Sequence, residues 1–551
     1  MPTYNARTMT ARPRLLLDFG AFRQPASPLF RDYLKGSASV RPFFDPPGFG
    51  LEALEVGAER TVRLARPREA LVGALVAQQQ ARGAELAARQ AERLRDPQAV
   101  VVVTGQQAVL FGGPLYVLYK ALAAQKAATA LEARRGKPVV PVFWVASDDH
   151  DFAEIRSVAV LDEAGQIHTL RYEPVREAAG RPASRIILDD TVTALVEELG
   201  RTLPASPSRE AMLALAQECY RPGVSLADAF ARLLSRLLPE LVVLDPGDPA
   251  LKRLMAPVLT REILEASPSS RLASETGAHL LAAGYHQQVP VREGFLNLFL
   301  VQDSERRGLG IKDGVIEVRG PGRKLSLAEA AAMATQAPDD WSPGVLLRPL
   351  AQDLLLPTAA YVGGPAEIAY HAQIGASYAH FGIPRPALLP RPSLTLIEPA
   401  QARALEAEGL GLSDLQAEPE GVIARWAQQA CPEVEVAFAR TREALEREMG
   451  AVEEAVAAVD PTLRAAAEGA RGRALHQIAT LHEKAIRAVK KRDQVRGERL
   501  RRTRDALMPG GAFQERGLGL LGLLARQGPA VVDEIRDQMD LWADGHQVVF
   551  L

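Results

Sequence analysis

The segment Ser147-Asp148-Asp149-His150-Asp151 packs three carboxylates and one imidazole into five consecutive positions. Charges of one sign held this close are unfavourable unless something uses them. Four uses compete: a general acid or base, a hard-metal site, hydrogen bonding to a polyhydroxyl substrate, and a capped turn whose Asp and Ser side chains bind helix N–H groups. A second group, Thr104-Gly105-Gln106-Gln107, leads through Gly112-Gly113-Pro114 into a stretch carrying Tyr116 and Lys120. Free N–H groups and the helix dipole at such a start suit phosphate or carboxylate, although the spacing matches neither the dinucleotide fingerprint nor the P-loop and a plain tight turn competes.

A third group repeats the second. Tyr361-Val362-Gly363-Gly364-Pro365 again runs from an apolar stretch through paired glycines to a proline that suits a first helical turn. Arg348, Asp353, Glu367, Tyr370, His371 and Arg391 surround it, and Arg348 or Arg391 offers a planar fork for a carboxylate. His476 and His482 stand apart from any cluster and read as solvated helix positions. Cys219 and Cys431 lack a neighbouring His or basic motif, which argues against a nucleophilic thiol.

The elements that position these groups follow from periodicity. Arg68 to Arg95, rich in Ala, Leu, Gln and Glu, predicts a helix ending before Asp96-Pro97. Val100 to Val103 predicts a buried strand, Pro114 to Arg135 a helix with Leu115, Leu118, Leu122 and Leu131 on its apolar face, and Val139 to Ala146 the next strand. A right-handed crossover places the two strands parallel with their following loops at one edge, so TGQQ and SDDHD become neighbours. Leu241 to Leu244 adds a strand to a doubly wound core, and 285 to 320 reads as antiparallel strands. Both Gly-Gly-Pro segments are expected to turn helix N-termini toward one crevice.

Beyond Pro399 the spacing changes to fours and threes: Leu445, Met449, Val452, Val456 and Val459, then, past Asp460-Pro461, Leu463, Ala467, Ala470, Ala474, Ile478, Leu481 and Ala485. A helical hairpin is implied, whose second arm, if continuous over 462 to 507, is about 70 Å long. Glutamates mark the first arm and a Lys/Arg run from Lys484 to Arg504 the second; opposite charges on paired arms explain this better than nucleic acid does. The domain reading is a core over 1–398 with insertions at about 160–240 and 270–345, an arm over 399–507, and a segment 508–551 that returns to the core.

A formal charge of -2 disfavours nucleic acid as partner, and two distant cysteines build neither a disulfide framework nor a Cys-based zinc cage. The N-terminus has no basic stretch followed by a long apolar run, and no window reaches the roughly 18 apolar residues that span a bilayer. A cytoplasmic chain without membrane contact is expected.

Taken in order, Thr104-Gly105-Gln106-Gln107, Gly113-Pro114-Leu115-Tyr116, Tyr119-Lys120, Pro141 to Phe152, Leu347-Arg348-Pro349-Leu350, Gln352-Asp353, Tyr361 to Pro365, Glu367-Ile368-Ala369-Tyr370 and Gln514-Glu515-Arg516 resemble the bacillithiol biosynthesis cysteine-adding enzymes, the BshC family, over essentially the whole chain. Asp148 stands where that family often shows Glu, Ala366 where it usually shows Gly, and His371 where it tends to show Trp. The resemblance implies an α/β fold: a Rossmann-like parallel-sheet core with inserted connecting subregions, plus a long α-helical coiled-coil hairpin that makes a homodimer. It implies a ligase that adds cysteine to glucosaminyl-malate through an amide bond.

A free carboxylate is a poor electrophile, so that bond needs activation of the cysteine carboxyl and a base to unload the amine. The activating cofactor stays open; ATP or ADP with Mg²⁺ is compatible, and no residue is assigned to a metal. Asp148, Asp149, His150 and Asp151 are the catalytic candidates, with Asp149 or His150 as base. Arg348 and Lys120 are assigned to malate carboxylates or a phosphate. Thr104, Gly105, Gln106, Gln107, Gly113, Pro114, Tyr116, Ser147, Asp353, Gly363, Gly364, Glu367, Tyr370 and Arg391 are expected to bind substrate. Gln514, Glu515 and Arg516 mark a second pocket, to which the resemblance allows a nucleotide. The competing reading is a nucleotidyl- or aminoacyl-transfer enzyme of the class I synthetase-like type, with Lys324-Leu325-Ser326 as an echo of a mobile phosphate-binding lysine loop.

Overall fold

The computed structural model describes residues 15–551 apart from 24, 25, 321 and 493. Two compact units are present, one holding Pro399–Ala512 and the other the described residues up to Glu398 together with Phe513–Leu551.

The larger unit is built on five parallel strands: β1 (Val100–Gln106), β2 (Val139–Val145), β3 (Val242–Leu244), β4 (Thr358–Gly363) and β5 (Ala387–Pro390). Their spatial order is β5-β4-β1-β2-β3. Val100–Val103 is fully buried, as a strand covered on both faces requires. Helix Leu115–Arg135 crosses from β1 to β2 and stops at Gly136 in the left-handed conformation. The chain then winds outward through β2 to β3, but β4 and β5 lie on the other side of β1. The connections after β1 and β4 therefore diverge, and a crevice opens between them at the carboxyl edge.

Two long insertions interrupt this winding. The first carries a ribbon of Ser157–Leu161 with Ile167–Arg171 and three helices, Thr191–Thr202, Arg209–Cys219 and Leu226–Leu237. The second carries the expected antiparallel strands, Phe295–Gln302, Glu305–Lys312 and Val315–Val318, with Lys324–Ser326 and Trp341–Pro343 at the two edges. Lys324-Leu325-Ser326 is therefore a paired edge strand, and Ser326 caps the helix Leu327–Gln336 through a reciprocal box with Glu329; it is not a free lysine loop. The C-terminal strand His546–Phe550 sits between Leu15–Leu17 and Ser393–Ile397.

The single helix expected over 68–95 is two, Arg68–Ala81 and Glu85–Glu92, followed by a 3-10 turn. Gln79 Nε2 and Arg82 Nη1 both donate to the Val243 carbonyl on edge strand β3, and Gly83 supplies the positive φ that turns the chain once they are anchored.

The smaller unit contains the helical hairpin. Its first arm is Pro432–Val459, the Asp460 side chain caps the turn Pro461–Leu463, and the second arm runs as Arg464–Arg492 and Gln494–Leu507. Cross-arm pairs join Glu453 to Arg471 at 3.4 Å and Glu435 to His482 at 2.7 Å. His482, which also tilts against Phe438, is thus a partnered residue and not merely a solvated one. Much of the basic run is also matched: Arg496 and Arg499 meet Glu408, Arg501 meets Glu420 and Arg504 meets Glu418. Among the described residues no helix is long and apolar enough to cross a membrane; the N-terminal stretch 1–14, read for a leader, lies outside them.

Helix Leu51–Thr61 packs on β4 with Gly57 at the contact, where any Cβ would run into the Ala359 carbonyl. Gly57→Ala should destabilise the larger unit by about 1–3 kcal/mol through overpacking, despite the better helix propensity of Ala. Urea unfolding measures this; equal stability would mean that helix and strand are not in this register.

Candidate functional site

At the end of β1 the backbone passes so close to β2 that a Cβ on Gly105 would lie 2.8 Å from the Trp144 carbonyl oxygen. Glycine is needed there, and the two residues after it point to different neighbours. Gln106 accepts from Lys120 Nζ at 3.0 Å and stands 3.3 Å from the Tyr116 hydroxyl. Gln107 donates to Asp149 Oδ2 at 2.7 Å and to Glu154 Oε2 at 2.9 Å. The two polar turns therefore meet through Gln107, while Thr104 ties β1 to the Val362 carbonyl of β4.

On the other side of the crevice, Gly364 opens helix Pro365–Gln373, and Glu367 accepts the Gly364 N–H at 2.7 Å. The same carboxylate accepts from the Tyr361 hydroxyl at 2.5 Å and pairs with buried Lys120 at 2.5 Å. Burial alone would raise the proton affinity of Glu367, but Lys120 and these donors hold its carboxyl below the ordinary range, so it is ionised. Lys120 also donates to the Gly105 carbonyl at 2.7 Å, and so clamps the end of β1 to the helix that follows β4.

Between these walls lies a cavity of about 350 Å³, within the range of small-molecule sites. Gly105, Gln106, Gln107, Tyr116, Lys120 and Trp144 line one side, and Arg348, Gly364, Pro365, Ala366, Glu367, Tyr370 and Arg391 the other. Arg516 from the C-terminal segment closes it. Arg391 is paired with fully buried Glu515 at 2.6 Å, and Glu515 in turn accepts from Ser393 and the Leu394 N–H. Arg348 hydrogen-bonds to neutral partners, the Tyr370 hydroxyl at 2.6 Å and Gln352 at 3.1 Å. Burial disfavours its charge, but the surrounding Tyr370, Tyr361 and Glu367 outweigh that and keep it firmly cationic.

The acidic turn adjoins this cavity, whose lining reaches Ala146 and Gln107 but includes none of Ser147, Asp148, Asp149, His150 and Asp151. Asp148 is paired at 2.6 Å with Lys252, a buried lysine that also donates to the Trp341 carbonyl. Ser147 donates to Asp245 from the loop after β3; burial raises the carboxyl of Asp245 above the ordinary range. Asp149 Oδ1 accepts the N–H groups of His150 and Asp151. Asp151 caps the short helix Phe152–Ile155. His150 Nδ1 lies 3.2 Å from Arg306 Nη1 on the inserted antiparallel sheet. Among the described residues no group of His, Cys, Asp or Glu is arranged to hold a metal ion.

Several expectations about placement change. The cavity centres on the divergence of β1 and β4 and not between β1 and β2. Of the two Gly-Gly-Pro segments only the second lines it, through Gly364 and Pro365. At the first, the N–H groups of Gly112, Gly113 and Leu115 are taken by Val109, Leu110 and Leu518, and a bridge joins Pro114 to Gly519, so Gly113 and Pro114 offer no anion seat. Asp353 is buried, accepting from the Tyr378 hydroxyl and Gln352, where burial raises its carboxyl, and it does not line the cavity. Gln514 and Glu515 brace strand Ser393–Ile397, and Arg516 lines the main cavity. Lys252 and Arg306 were not foreseen: each stands in an unremarkable stretch and reaches the site only through long-range folding. Tyr361 and Asp245 stand in or beside expected strands and were not assigned to the site.

Comparison with known proteins finds two family models: residues 20–392 match "Bacillithiol biosynthesis BshC, N-terminal Rossmann-like domain" and residues 394–551 match "Bacillithiol biosynthesis BshC, C-terminal coiled-coil domain". A Salinibacter ruber protein named "Putative cysteine ligase BshC" is 34% identical, with 100% of both chains covered. One of the same name from Koribacter versatilis is 34% identical over 92% of this chain and 94% of its own. A Campylobacter jejuni structure titled as a putative arginyl t-RNA synthetase superposes with a TM-score of 0.22 at 12% identity, covering 79% of this chain and 92% of that one, which is too slight a likeness to carry an argument.

The Arg391–Glu515 pair yields a stability test. Glu515→Gln leaves a buried guanidinium uncompensated and should lower stability by about 3–5 kcal/mol near neutral pH. Burial would raise the Glu515 carboxyl, but Arg391 holds it below its ordinary 4.5. The wild-type advantage should therefore be complete above that value and fade as pH falls through the lower, folded one. Urea unfolding of both proteins between about pH 7 and pH 3 reads the difference; a pH-independent gap would show that the charge is not what matters.

Proposed function

The chain belongs to the BshC family of bacillithiol biosynthesis, and from that premise we propose that it joins the carboxyl of cysteine to the amine of glucosaminyl-malate as an amide, giving bacillithiol. The observation that carries this reading is an imbalance of charge in the cavity. Lys120 is answered by Glu367 and Arg391 by Glu515, but among the described residues no carboxylate lies within ion-pair distance of Arg348 or Arg516. Two unanswered guanidinium groups suit the two carboxylates of a malate moiety, each able to accept a bidentate fork. Arg516 thereby takes the role that was assigned to Lys120 on the strength of the family resemblance, since Lys120 is committed to its own carboxylate.

Within this reading the amine must shed a proton as its nitrogen attacks the activated carboxyl carbon; the C–N bond forms and the activating group leaves. Asp149 accepts that proton. Asp148 is spent on Lys252 and Asp151 on a helix cap, whereas Asp149 is held by Gln107, a cavity-lining side chain, through a neutral donor that leaves its charge available.

We assign the arm to self-association. No residue of Pro432–Val459 is buried, and Val452, Val459, Leu463 and Leu481 stay exposed along the seam. A second hairpin would cover them.

Purified protein incubated with cysteine and glucosaminyl-malate, with and without ATP and Mg²⁺, should give bacillithiol by mass analysis. Absence of product under every condition would sink the ligase reading, and the nucleotide-free arm identifies the energy source. Asp149→Asn should lower kcat by about 10²-fold or more; full turnover would remove Asp149 from the chemistry. Arg348→Gln should raise the KM for glucosaminyl-malate much more than it changes kcat. In sedimentation the wild type should run as a dimer and Val452→Glu/Leu481→Glu as a monomer, while an unchanged mass would place self-association elsewhere.

A further inference from the structure

The acidic turn holds two groups able to take a proton, Asp149 and His150, and the inserted sheet discriminates between them. Arg306 on strand Glu305–Lys312 brings Nη1 to 3.2 Å from His150 Nδ1. A guanidinium can only donate, so Nδ1 must present its lone pair and a neutral ring must carry its proton on Nε2. An imidazolium would set N–H against N–H at that distance.

Arg306 is not free to swing aside. Its Nε donates to Ser342 Oγ at 2.8 Å, its Nη2 donates to the Pro343 carbonyl at 2.8 Å, and its Cζ lies 3.8 Å from the Phe299 ring centroid. Asp149 Oδ1 stands 3.7 Å from His150 Nδ1, too far to accept from it, and already receives two backbone N–H groups. The other charges about the ring are Asp148, engaged by Lys252, and Asp151, engaged by its helix cap. Burial and Arg306 push the imidazole below its ordinary range against the opposing pull of Asp149 and Asp151.

We propose that Arg306 is a positioning residue that fixes His150 as the neutral Nε2–H tautomer, so that the turn has one working proton acceptor, Asp149, and one neutral hydrogen-bond donor, His150. The assignment of the acceptor rests on the ligase reading above; the tautomer does not.

Nitrogen-15 NMR of histidine-labelled wild type tests it without substrate, His150 being the signal lost in His150→Gln. Nδ1 should be bare and Nε2 protonated from about pH 8 to below the ordinary imidazole range near 6.5. A protonated Nδ1, or titration near 6.5, overturns the proposal. In Arg306→Gln the ring should become a tautomer mixture and its midpoint should rise, while Arg306→Lys, which keeps a donor, should restore part of the wild-type behaviour; a ring unaffected by either change also overturns it. If Arg306→Gln does not fold, the wild-type spectrum and Arg306→Lys decide. The locked tautomer in a protein that forms no bacillithiol would defeat the ligase reading and leave the role of Arg306 intact, whereas an active enzyme whose His150 titrates normally would do the reverse.

Discussion

The ion pair of Lys120 with Glu367 is the constraint on which the site is organised. The sheet order makes the connections after β1 and β4 leave in opposite directions, and nothing in the strand ladder itself closes the gap this opens. Lys120 spans it, reaching the Gly105 carbonyl and Gln106 on one bank and Glu367 on the other. Such a pair is weak evidence for net stability, because both charges leave water, but removing either member strands the other at a cost of about 3–5 kcal/mol. Its value is geometric: it fixes the width of the crevice and, by neutralising its own lysine, lets the cavity's remaining positive charge come from arginines.

The same device recurs at each connection that reaches the carboxyl edge. Glu515 holds Arg391, Lys252 holds Asp148, and Asp245 receives Ser147, each joining segments more than ninety residues apart in the chain. These contacts substitute for the regular backbone pairing that loops lack. They also sort the charged side chains into those consumed in holding a loop and those left for a ligand, which is why Arg348, Arg516 and Asp149 stand out from a crowd of similar residues.

What could be read in advance was local. The run Val100 to Val103, the crossover after it and the strand to Val145 follow from composition and spacing, and parallel pairing then forces TGQQ beside SDDHD, as the Gln107–Asp149 bond bears out. What could not be read was which hydrogen-bonding groups would remain unspent. Gly112-Gly113-Pro114 looks identical in kind to Gly363-Gly364-Pro365, yet the carbonyl of Leu518, four hundred residues downstream, takes the Leu115 N–H and disarms the first. Arg306 and Lys252 carry no local signature, since an arginine in a strand and a lysine in an amphipathic helix are ordinary surface residues until a distant turn folds against them. The helix expected over 68–95 broke for a like reason, the carbonyl of Val243 drawing in both Gln79 and Arg82.

The second insertion shows why a doubly wound sheet would carry so large an addition between β3 and β4. Turns at the carboxyl edge are supported from below by their own strands, but nothing in the parallel sheet supports them laterally. The antiparallel sheet supplies that support: Trp341 takes a hydrogen bond from Lys252, Ser342 and Pro343 orient Arg306, and Arg306 meets His150. A rigid strand places a guanidinium more accurately than a loop could: Arg306 is fixed by pairing with Val301 on one side, by its N–H to the Gly180 carbonyl, and by the aromatic face of Phe299. The insertion therefore acts as a buttress for the acidic turn, and through Ser342, Pro343 and Arg306 it fixes the surroundings of the His150 ring.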